Sequence, residues 1–160
     1  MKVLILLIFV GFIFISEACK CQEQKAKEAF CKAHWVAHTK VQIRQTKTKM
    51  PDGSSRAGLN NIRYNVEYGK IFKSPADLKG ELPKEIYTPS ERPACGLLID
   101  AGQEYLLAGR YENGTMTTVL CGQILSDDPN KETFENVLEW KNVPASLQNR
   151  LEIKAFEPCN

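Results

Sequence analysis

This chain of 160 residues lacks a strong excess of charge of either sign and has few long hydrophobic runs. The 21 Lys and Arg residues are nearly balanced by 19 Asp and Glu residues, which gives a formal net charge of +2. A nucleic-acid-binding domain usually carries a strong basic excess, so we expect no nucleic-acid partner. Beyond residue 18 no apolar run is long enough to span a membrane, so we expect no membrane insertion. The sequence also lacks a Gly-rich phosphate loop and internal repeats, which argues against nucleotide binding and repeat architectures.

The first 18 residues are predicted to form a cleavable secretory signal. They run from Lys2 through an apolar stretch at positions 3–15 to the small-residue exit Ser16-Glu17-Ala18, which is the layout of a signal peptide. Cleavage after Ala18 would make Cys19 the first residue of a secreted, extracellular protein, with residues 19–160 as one domain. It would also leave Cys19 with a free α-amino group beside its own carbonyl.

All six cysteines follow the predicted cleavage site: Cys19, Cys21, Cys31, Cys95, Cys121 and Cys159. An even number of cysteines behind a secretory signal predicts three disulfides formed in an oxidising compartment. Spacing alone does not choose among the possible pairings. Cys19 and Cys21 are too close to pair comfortably, so we expect each early cysteine to reach a late one.

Hydrophobic periodicity predicts a mainly β fold with a short helix at each end. Helices are expected at 23–33 and 145–153, and strands or extended pieces at 35–50, 61–72, 85–88, 96–100, 104–111 and 115–124. Asn113-Gly114 is a strong signal for a hairpin between the last two strands. About five short strands flanked by helices favour a closed, five-stranded β-barrel of the OB type, with a sandwich as the alternative.

The cysteine order and its neighbouring residues resemble the tissue inhibitors of metalloproteinases. The matching motifs cover essentially all of residues 19–160: Cys19-Lys20-Cys21, Ala29-Phe30-Cys31, Ile86-Tyr87-Thr88-Pro89, Ala94-Cys95-Gly96 with Asp100, Glu104-Tyr105-Leu106-Leu107-Ala108-Gly109, Leu120-Cys121 and Cys159. The chain looks like a single-domain, invertebrate-type member with an OB-like netrin module. The resemblance implies the disulfides Cys19–Cys95, Cys21–Cys121 and Cys31–Cys159.

The resemblance also implies a function, which is inhibition of zinc metalloproteases of the matrix metalloproteinase type, without catalysis. The α-amine and carbonyl of Cys19 would chelate the catalytic zinc held by the target protease, and the chain would need no cofactor of its own. We expect it to act as a monomer. The protease-binding residues would be Cys19, Lys20, Cys21 and Gln22 on one side of the zinc and Arg92, Pro93, Ala94 and Cys95 on the other.

The residue after Cys19 departs from the family pattern. Lys20 stands where family members usually carry Ser or Thr, and residues 22–28 lack the Pro and His that are usual there. By resemblance, the Lys20 side chain enters the main specificity pocket of the protease. A cation in that pocket costs desolvation unless a polar or acidic group meets it, so we expect an altered target range.

Several residues allow alternative interpretations. The alternative function is a netrin-type extracellular module that binds matrix or signalling proteins without inhibiting proteases, with Cys19 as an ordinary structural cystine. His34 and His38 are interpreted as structural, because Trp35 occupies the place where a zinc-protease helix motif needs Glu. A thiol enzyme would need a free cysteine, which the even count argues against.

The remaining polar features are interpreted as surface. The basic residues of the first strand, Lys40, Arg44, Lys47 and Lys49, are expected to form a solvated face, with contact to acidic matrix glycans as the alternative. Asn113-Gly114-Thr115 is an acceptor sequence for N-glycosylation on an exposed turn. The acidic pair Asp127-Asp128 is expected to be solvated.

Overall fold

The computed structural model describes residues 19–51, 61–127 and 137–159. Its helices and strands, in chain order, are α1 (Ala26–Lys32), β1 (Trp35–Thr48), β2 (Asn61–Lys73), β3 (Glu85–Pro89), β4 (Glu104–Glu112), β5 (Thr115–Thr117), β6 (Leu138–Glu139) and α2 (Ala145–Glu152). The 3-10 turns are Arg92–Ala94, Leu120–Gly122 and Trp140–Asn142. The predicted signal sequence lies outside the described residues. No helix of the described ranges is long and apolar enough to cross a membrane.

Five strands close into a barrel in the order β1-β2-β3-β5-β4, with β4 pairing back onto β1. Neighbouring strands are antiparallel except β3 and β5, which run parallel. The first half of β1 pairs with both β2 and β4, whereas its second half pairs only with β2. The predicted closed barrel is therefore confirmed, and the sandwich alternative is wrong. The short strand β6 adds to β4 outside this ring.

The hairpin between β4 and β5 forms where the sequence predicts it. Asn113 and Gly114 have φ values of 50° and 79°. A two-residue turn with positive φ at both positions matches the right-handed twist of the flanking strands. Asn and Gly tolerate this conformation better than most residues, which is why the dipeptide predicts the turn.

The apolar residues form two cores on opposite sides of the barrel wall. Along β1 and β4, successive side chains point alternately inward and outward, and both faces are buried. The inner core contains Trp35, Ala37, Ile62, Tyr64, Ile86, Leu107 and Met116. The outer core, between the wall and the two helices, contains Phe30, Val36, Leu106, Ala108, Leu147, Leu151 and Phe156. Each large side chain buried in this way stabilises the fold by roughly 1.5–3 kcal/mol.

The strand predicted at 115–124 ends early, at Thr117. The side chain of Gln123, which is buried, replaces the missing strand pairing with Ala108. Its Oε1 accepts from the Ala108 backbone N–H at 3.1 Å, and its Nε2 donates to the Ala108 carbonyl at 3.1 Å. A side-chain amide therefore satisfies the backbone of β4 where a continuous strand was expected. The chain is then free to turn through Leu120–Gly122.

Candidate functional site

The predicted first residue of the secreted protein is covalently attached to the barrel. The disulfides Cys19–Cys95, Cys21–Cys121 and Cys31–Cys159 have Cα–Cα distances of 5.2, 5.0 and 5.3 Å. This is the pairing that the resemblance implied. The first two disulfides hold the segment before α1, which has no regular secondary structure, against two turns of the barrel.

These two disulfides pack directly against each other. The Sγ of Cys121 lies 3.3 Å from the Sγ of Cys19 and 3.7 Å from the Sγ of Cys95. Three sulfurs, those of Cys19, Cys21 and Cys121, lie within 4.8 Å of one another, a spacing that thiolates could use to hold a metal. All of them are bonded in disulfides, and the described residues include no free cysteine. We therefore assign no metal to these sulfurs, since a metal ligand would have to be a thiolate.

We call residues 19–24, 91–100 and 119–122 the disulfide-linked edge. Its second segment contains a tight turn at Arg92–Ala94, in which the Glu91 carbonyl accepts from Ala94 N–H at 3.2 Å and from Gly96 N–H at 3.3 Å. Cys95 has a φ of 56°. A Cβ at Gly96 would lie 2.0 Å from the Pro89 carbonyl oxygen, so this close approach requires glycine. The turn therefore carries Arg92, Pro93 and Ala94 alongside Cys19.

Barrel side chains hold the part of the edge that follows Cys95. The backbone N–H of Leu97 donates to the Thr88 hydroxyl at 2.9 Å, and the Tyr64 hydroxyl donates to the Leu97 carbonyl at 2.8 Å. The N–H of Ile99 donates to the same Tyr64 hydroxyl at 3.1 Å, and that of Asp100 donates to the Tyr105 hydroxyl at 3.1 Å.

These contacts explain why the strand predicted at 96–100 is wrong. Its backbone groups bond to hydroxyls of the barrel instead of to a neighbouring strand. Burial raises the pKa of Tyr64 and of Tyr105, so both hydroxyls keep their protons at neutral pH. Sequence reasoning missed these residues because an alternating Tyr in a strand looks like an ordinary core position.

The first segment of the edge is also fixed where it meets α1. The Gln24 side chain donates to the Cys121 carbonyl at 2.9 Å, and Ala26 N–H donates to an oxygen of Asp127 at 2.7 Å. The other oxygen of Asp127 accepts from Arg150 of α2 at 3.0 Å. Asp127 is exposed, as expected, and in addition its side chain accepts from the first N–H of α1. Asp128 lies outside the described residues.

The backbone nitrogen and carbonyl oxygen of Cys19 have no hydrogen-bond partner among the described residues. Lys20, Gln22 and Pro93 are exposed. Within the described ranges Lys20 takes part in no ion pair. The edge therefore offers the backbone nitrogen and carbonyl oxygen of Cys19, the cation of Lys20 and the Arg92–Ala94 turn on one side of the barrel.

The two histidines have separate structural contacts. His34 Nδ1 accepts from the Tyr111 backbone N–H at 3.2 Å. His38 Nε2 lies 2.6 Å from a carboxylate oxygen of Glu104, and its ring stacks on Trp140 with centroids 4.0 Å apart. Neither histidine belongs to the disulfide-linked edge, and their contacts fit the structural interpretation.

The other predicted surface features are exposed. Lys40, Arg44, Lys47 and Lys49 are all exposed along β1 and beyond it, and Asn113 is exposed at the tip of the β4–β5 hairpin. None of these five residues lies in the disulfide-linked edge. Contact of β1 with glycans and glycosylation of Asn113 remain predictions.

Comparison with known proteins identifies relatives over most of the chain. The family model described as tissue inhibitor of metalloproteinase matches residues 17–128. A Caenorhabditis elegans protein named "Putative metalloproteinase inhibitor tag-225" is 55% identical over 148 residues, which cover 92% of this chain and 93% of that protein. Metalloproteinase inhibitor 3 of Scyliorhinus torazame is 29% identical over 115 residues, covering 71% of this chain and 50% of that protein.

A tissue inhibitor of metalloproteinase from Drosophila melanogaster is 23% identical over 111 residues, covering 69% of this chain and 49% of that protein. This chain thus aligns with about half the length of the Scyliorhinus and Drosophila proteins and with nearly all of the nematode protein.

Proposed function

The chain belongs to the tissue inhibitor of metalloproteinase family, and from that premise we propose that it is a secreted inhibitor of zinc metalloproteinases, with those of the matrix type as its targets. The inhibitory group is the α-amine and carbonyl oxygen of Cys19, exposed when residues 1–18 are removed. The chain binds its target and performs no chemistry on it. The names of the relatives support the inhibitory function.

The observation that carries the proposal is the fixed position of Cys19. Its disulfide to Cys95, with Cα atoms 5.2 Å apart, holds it beside the Arg92–Ala94 turn. The second disulfide, two residues later, prevents the segment from swinging about the first. A chain terminus is ordinarily frayed, so two successive cross-links on one terminus indicate that its position matters.

The chemistry of the chelate follows from zinc coordination. A catalytic zinc keeps one position open for water beside three protein ligands. An α-amine and the carbonyl oxygen of the same residue close a five-membered ring on the metal and displace that water. The amine must be unprotonated to bind, and because a terminal amine has a pKa of about 7.7–8.0, losing the proton costs little at neutral pH. The disulfides lower the entropy lost on binding, because the two ligand atoms are already in place.

Lys20 is the residue that adapts this site to particular targets. It directly follows the chelating residue, it is exposed, and within the described ranges it has no ion-pair partner. Its side chain enters the specificity pocket beside the zinc. A cation there favours proteases whose pocket offers an acidic or polar group and disfavours those with an apolar pocket.

The decisive experiment blocks the α-amine of Cys19 and leaves the rest of the secreted protein unchanged. Two forms are prepared, one beginning at Cys19 and one with a single Ala added before it. The extension converts the α-amine to an amide, which cannot bind zinc, while all three disulfides remain. We expect inhibition of a zinc metalloproteinase to weaken by more than about a hundredfold, equivalent to roughly 3 kcal/mol, with an unchanged thermal midpoint.

The natural terminus is checked by N-terminal sequencing of protein secreted from a eukaryotic host. Selective acetylation of the α-amine is a second test that adds no residue. Full inhibition by the extended form would overturn the chelation mechanism and direct attention to another surface. A secreted protein that begins elsewhere than Cys19 would contradict the proposed processing.

A further inference from the structure

A cavity of about 260 Å³ lies between α1 and the barrel wall. One wall is formed by α1 and the residue after it, with Ala29, Lys32 and Ala33. The opposite wall is formed by the end of β4 and the segment after β5, including Arg110 and Val119. None of the functions discussed above uses this space.

Small side chains on α1 create the cavity. Phe30 of α1 packs into the outer core, with its ring 5.3 Å from that of Phe156. Ala29 and Ala33 carry only methyl groups towards the wall, so the helix cannot fill the gap beside Val119. At about 30 Å³ per water molecule, the space corresponds to roughly eight or nine waters. This is enough for a small apolar chain.

The charges that line the cavity have one sign. Lys32 and Arg110 line it, and no acidic side chain does. In the described part of the chain Lys32 forms no ion pair or hydrogen bond. Arg110 pairs only with its exposed neighbour Glu112, at 3.4 Å and with both side chains 64% exposed. Such a surface pair contributes little, so Arg110 can exchange it for another anion.

We propose that this cavity binds a small amphipathic anion, a linear or aromatic carboxylate whose apolar part lies against Ala29, Ala33 and Val119. The carboxylate lies between Lys32 and Arg110. An apolar pocket with a few polar groups that fix orientation is the usual form of a small-molecule site. Lys32 and Arg110 orient the ligand by attracting its carboxylate. A neutral or cationic chain of equal length lacks this attraction.

The site is distinct from the zinc-binding group, and its existence does not depend on the proposed function. It does share a wall with the disulfide-linked edge, since Gln24 and Cys121 also line the cavity. The Gln24 side chain bonds to the Cys121 carbonyl there, at 2.9 Å.

Octanoate is the probe for the test, with octan-1-ol and octylammonium as neutral and cationic chains of the same length. Binding to the disulfide-bonded protein is followed by the backbone amide shifts in two-dimensional NMR. We expect saturable octanoate binding, with the largest shifts at residues 109–110, 117–119 and 121–122. We expect octanol to bind at least fivefold more weakly and octylammonium not to bind.

Substitutions separate this site from general attraction of anions to a basic protein. Lys32→Gln combined with Arg110→Gln should weaken octanoate binding at least tenfold and leave octanol binding unchanged. Lys27→Gln is the matched control, because Lys27 is an exposed lysine of α1 that does not line the cavity, and it should have no effect. Ala33→Leu, which fills the space, should abolish binding of both chains.

The proposal is overturned if octanoate does not saturate, if all three chains bind equally, or if the shifts fall on the basic residues of β1. It is also overturned if Lys27→Gln weakens binding as much as the Lys32 and Arg110 pair does. If the Ala33→Leu variant does not fold, the charge variants and the positions of the amide shifts still test the proposal. Protease inhibition enters none of these measurements, so their failure leaves the proposed function untouched.

Discussion

The barrel and the disulfide-linked edge hold their backbones in place by different means. Ile86 and Leu107 of the barrel are essentially excluded from solvent, and their strands are hydrogen-bonded on both sides. The edge has exposed residues such as Lys20 and Pro93 and no strand of its own. It is held by two disulfides and by hydroxyls that reach out from the barrel.

The comparison shows what the proposed binding surface costs in stability. Residues that must contact a partner cannot be buried in the free protein, so the edge gains little from the hydrophobic effect. Covalent links and side-chain hydrogen bonds supply the order instead. If this is right, changes in the barrel should affect stability first, and changes at the edge should affect inhibition first.

The largest effect is expected from removing disulfides. Cys19→Ser with Cys95→Ser opens a loop of 76 residues, and Cys31→Ser with Cys159→Ser opens one of 128. The chain-entropy model predicts a loss of about 4.5–5 kcal/mol in the free energy of unfolding for either pair. Only the first pair should also abolish inhibition, although the backbone atoms of residue 19 that we propose as zinc ligands remain in that variant. Urea titrations and inhibition constants, measured where both variants are folded, check this; equal losses of inhibition would refute the separation.

The next effect tests the hydroxyls that join barrel and edge. Tyr64→Phe leaves the Leu97 carbonyl and the Ile99 N–H without their partner inside the protein. We expect a loss of about 1–3 kcal/mol in stability together with weaker inhibition.

A second tyrosine of β2 provides the matched control for Tyr64. The Tyr68 hydroxyl donates to the Pro83 carbonyl at 2.6 Å, away from the edge, so Tyr68→Phe should lower stability without weakening inhibition. Hydrogen exchange at the amide of Ile99, which donates to the Tyr64 hydroxyl, should accelerate only in the Tyr64 variant. Equal inhibition by the two variants would show that the hydroxyl does not position the edge.

A smaller effect, on affinity alone, is expected at Lys20. Lys20→Thr removes a cation that an apolar specificity pocket would have to desolvate. Inhibition of matrix-type proteases with apolar pockets should strengthen by about tenfold, or roughly 1.4 kcal/mol, with no change in stability. Lys25→Thr removes the same charge five residues later and should leave the inhibition constant unchanged. Weaker inhibition by the Lys20 variant would contradict the pocket assignment.

The smallest effect is the dependence of barrel stability on alkaline pH. Burial raises the pKa of Tyr64 and Tyr105 above the usual 10.0, so the folded protein keeps protons that the unfolded chain releases. The free energy of unfolding should therefore fall as pH rises above about 10. Burial lowers the pKa of Lys73, which acts in the opposite direction, but among the described residues burial raises the pKa of four tyrosines and lowers that of one lysine. Urea midpoints between pH 8 and 11 should show the decline, and Tyr64→Phe should make it shallower; a flat profile would contradict it.

Local signals predicted the regular elements well. Alternating apolar residues located β1, β2 and β4 to within a few residues, because each strand has a side buried in the barrel. Asn113-Gly114 predicted its hairpin, since few other residue pairs adopt two positive φ values in succession. The strand β6 was missed because two residues carry no periodicity.

The two segments wrongly predicted to be strand share one physical cause. Residues 96–100 and 118–124 have strand-like composition, yet the first segment bonds to the hydroxyls of Thr88, Tyr64 and Tyr105. In the second segment, the Val119 carbonyl accepts from the side chain of Gln123, which also takes the strand's place beside Ala108. A sequence pattern indicates which residues favour an extended chain. It does not indicate which distant hydroxyl or amide will hydrogen-bond to the backbone of that chain. The two atoms proposed to bind zinc and their neighbours were named through family resemblance, and spacing alone would not have chosen the partner of Cys19.

The sequence by itself determined the class of fold, the presence of three cross-links and the family, because periodicity, cysteine number and short motifs are local properties of the chain. Only the tertiary structure decided how Cys19 is held and where the cavity behind α1 lies. Both depend on contacts between residues far apart in the chain, such as Gln24 with Cys121 and Tyr64 with Leu97. Those contacts exist only once the barrel has closed and brought their backbones together.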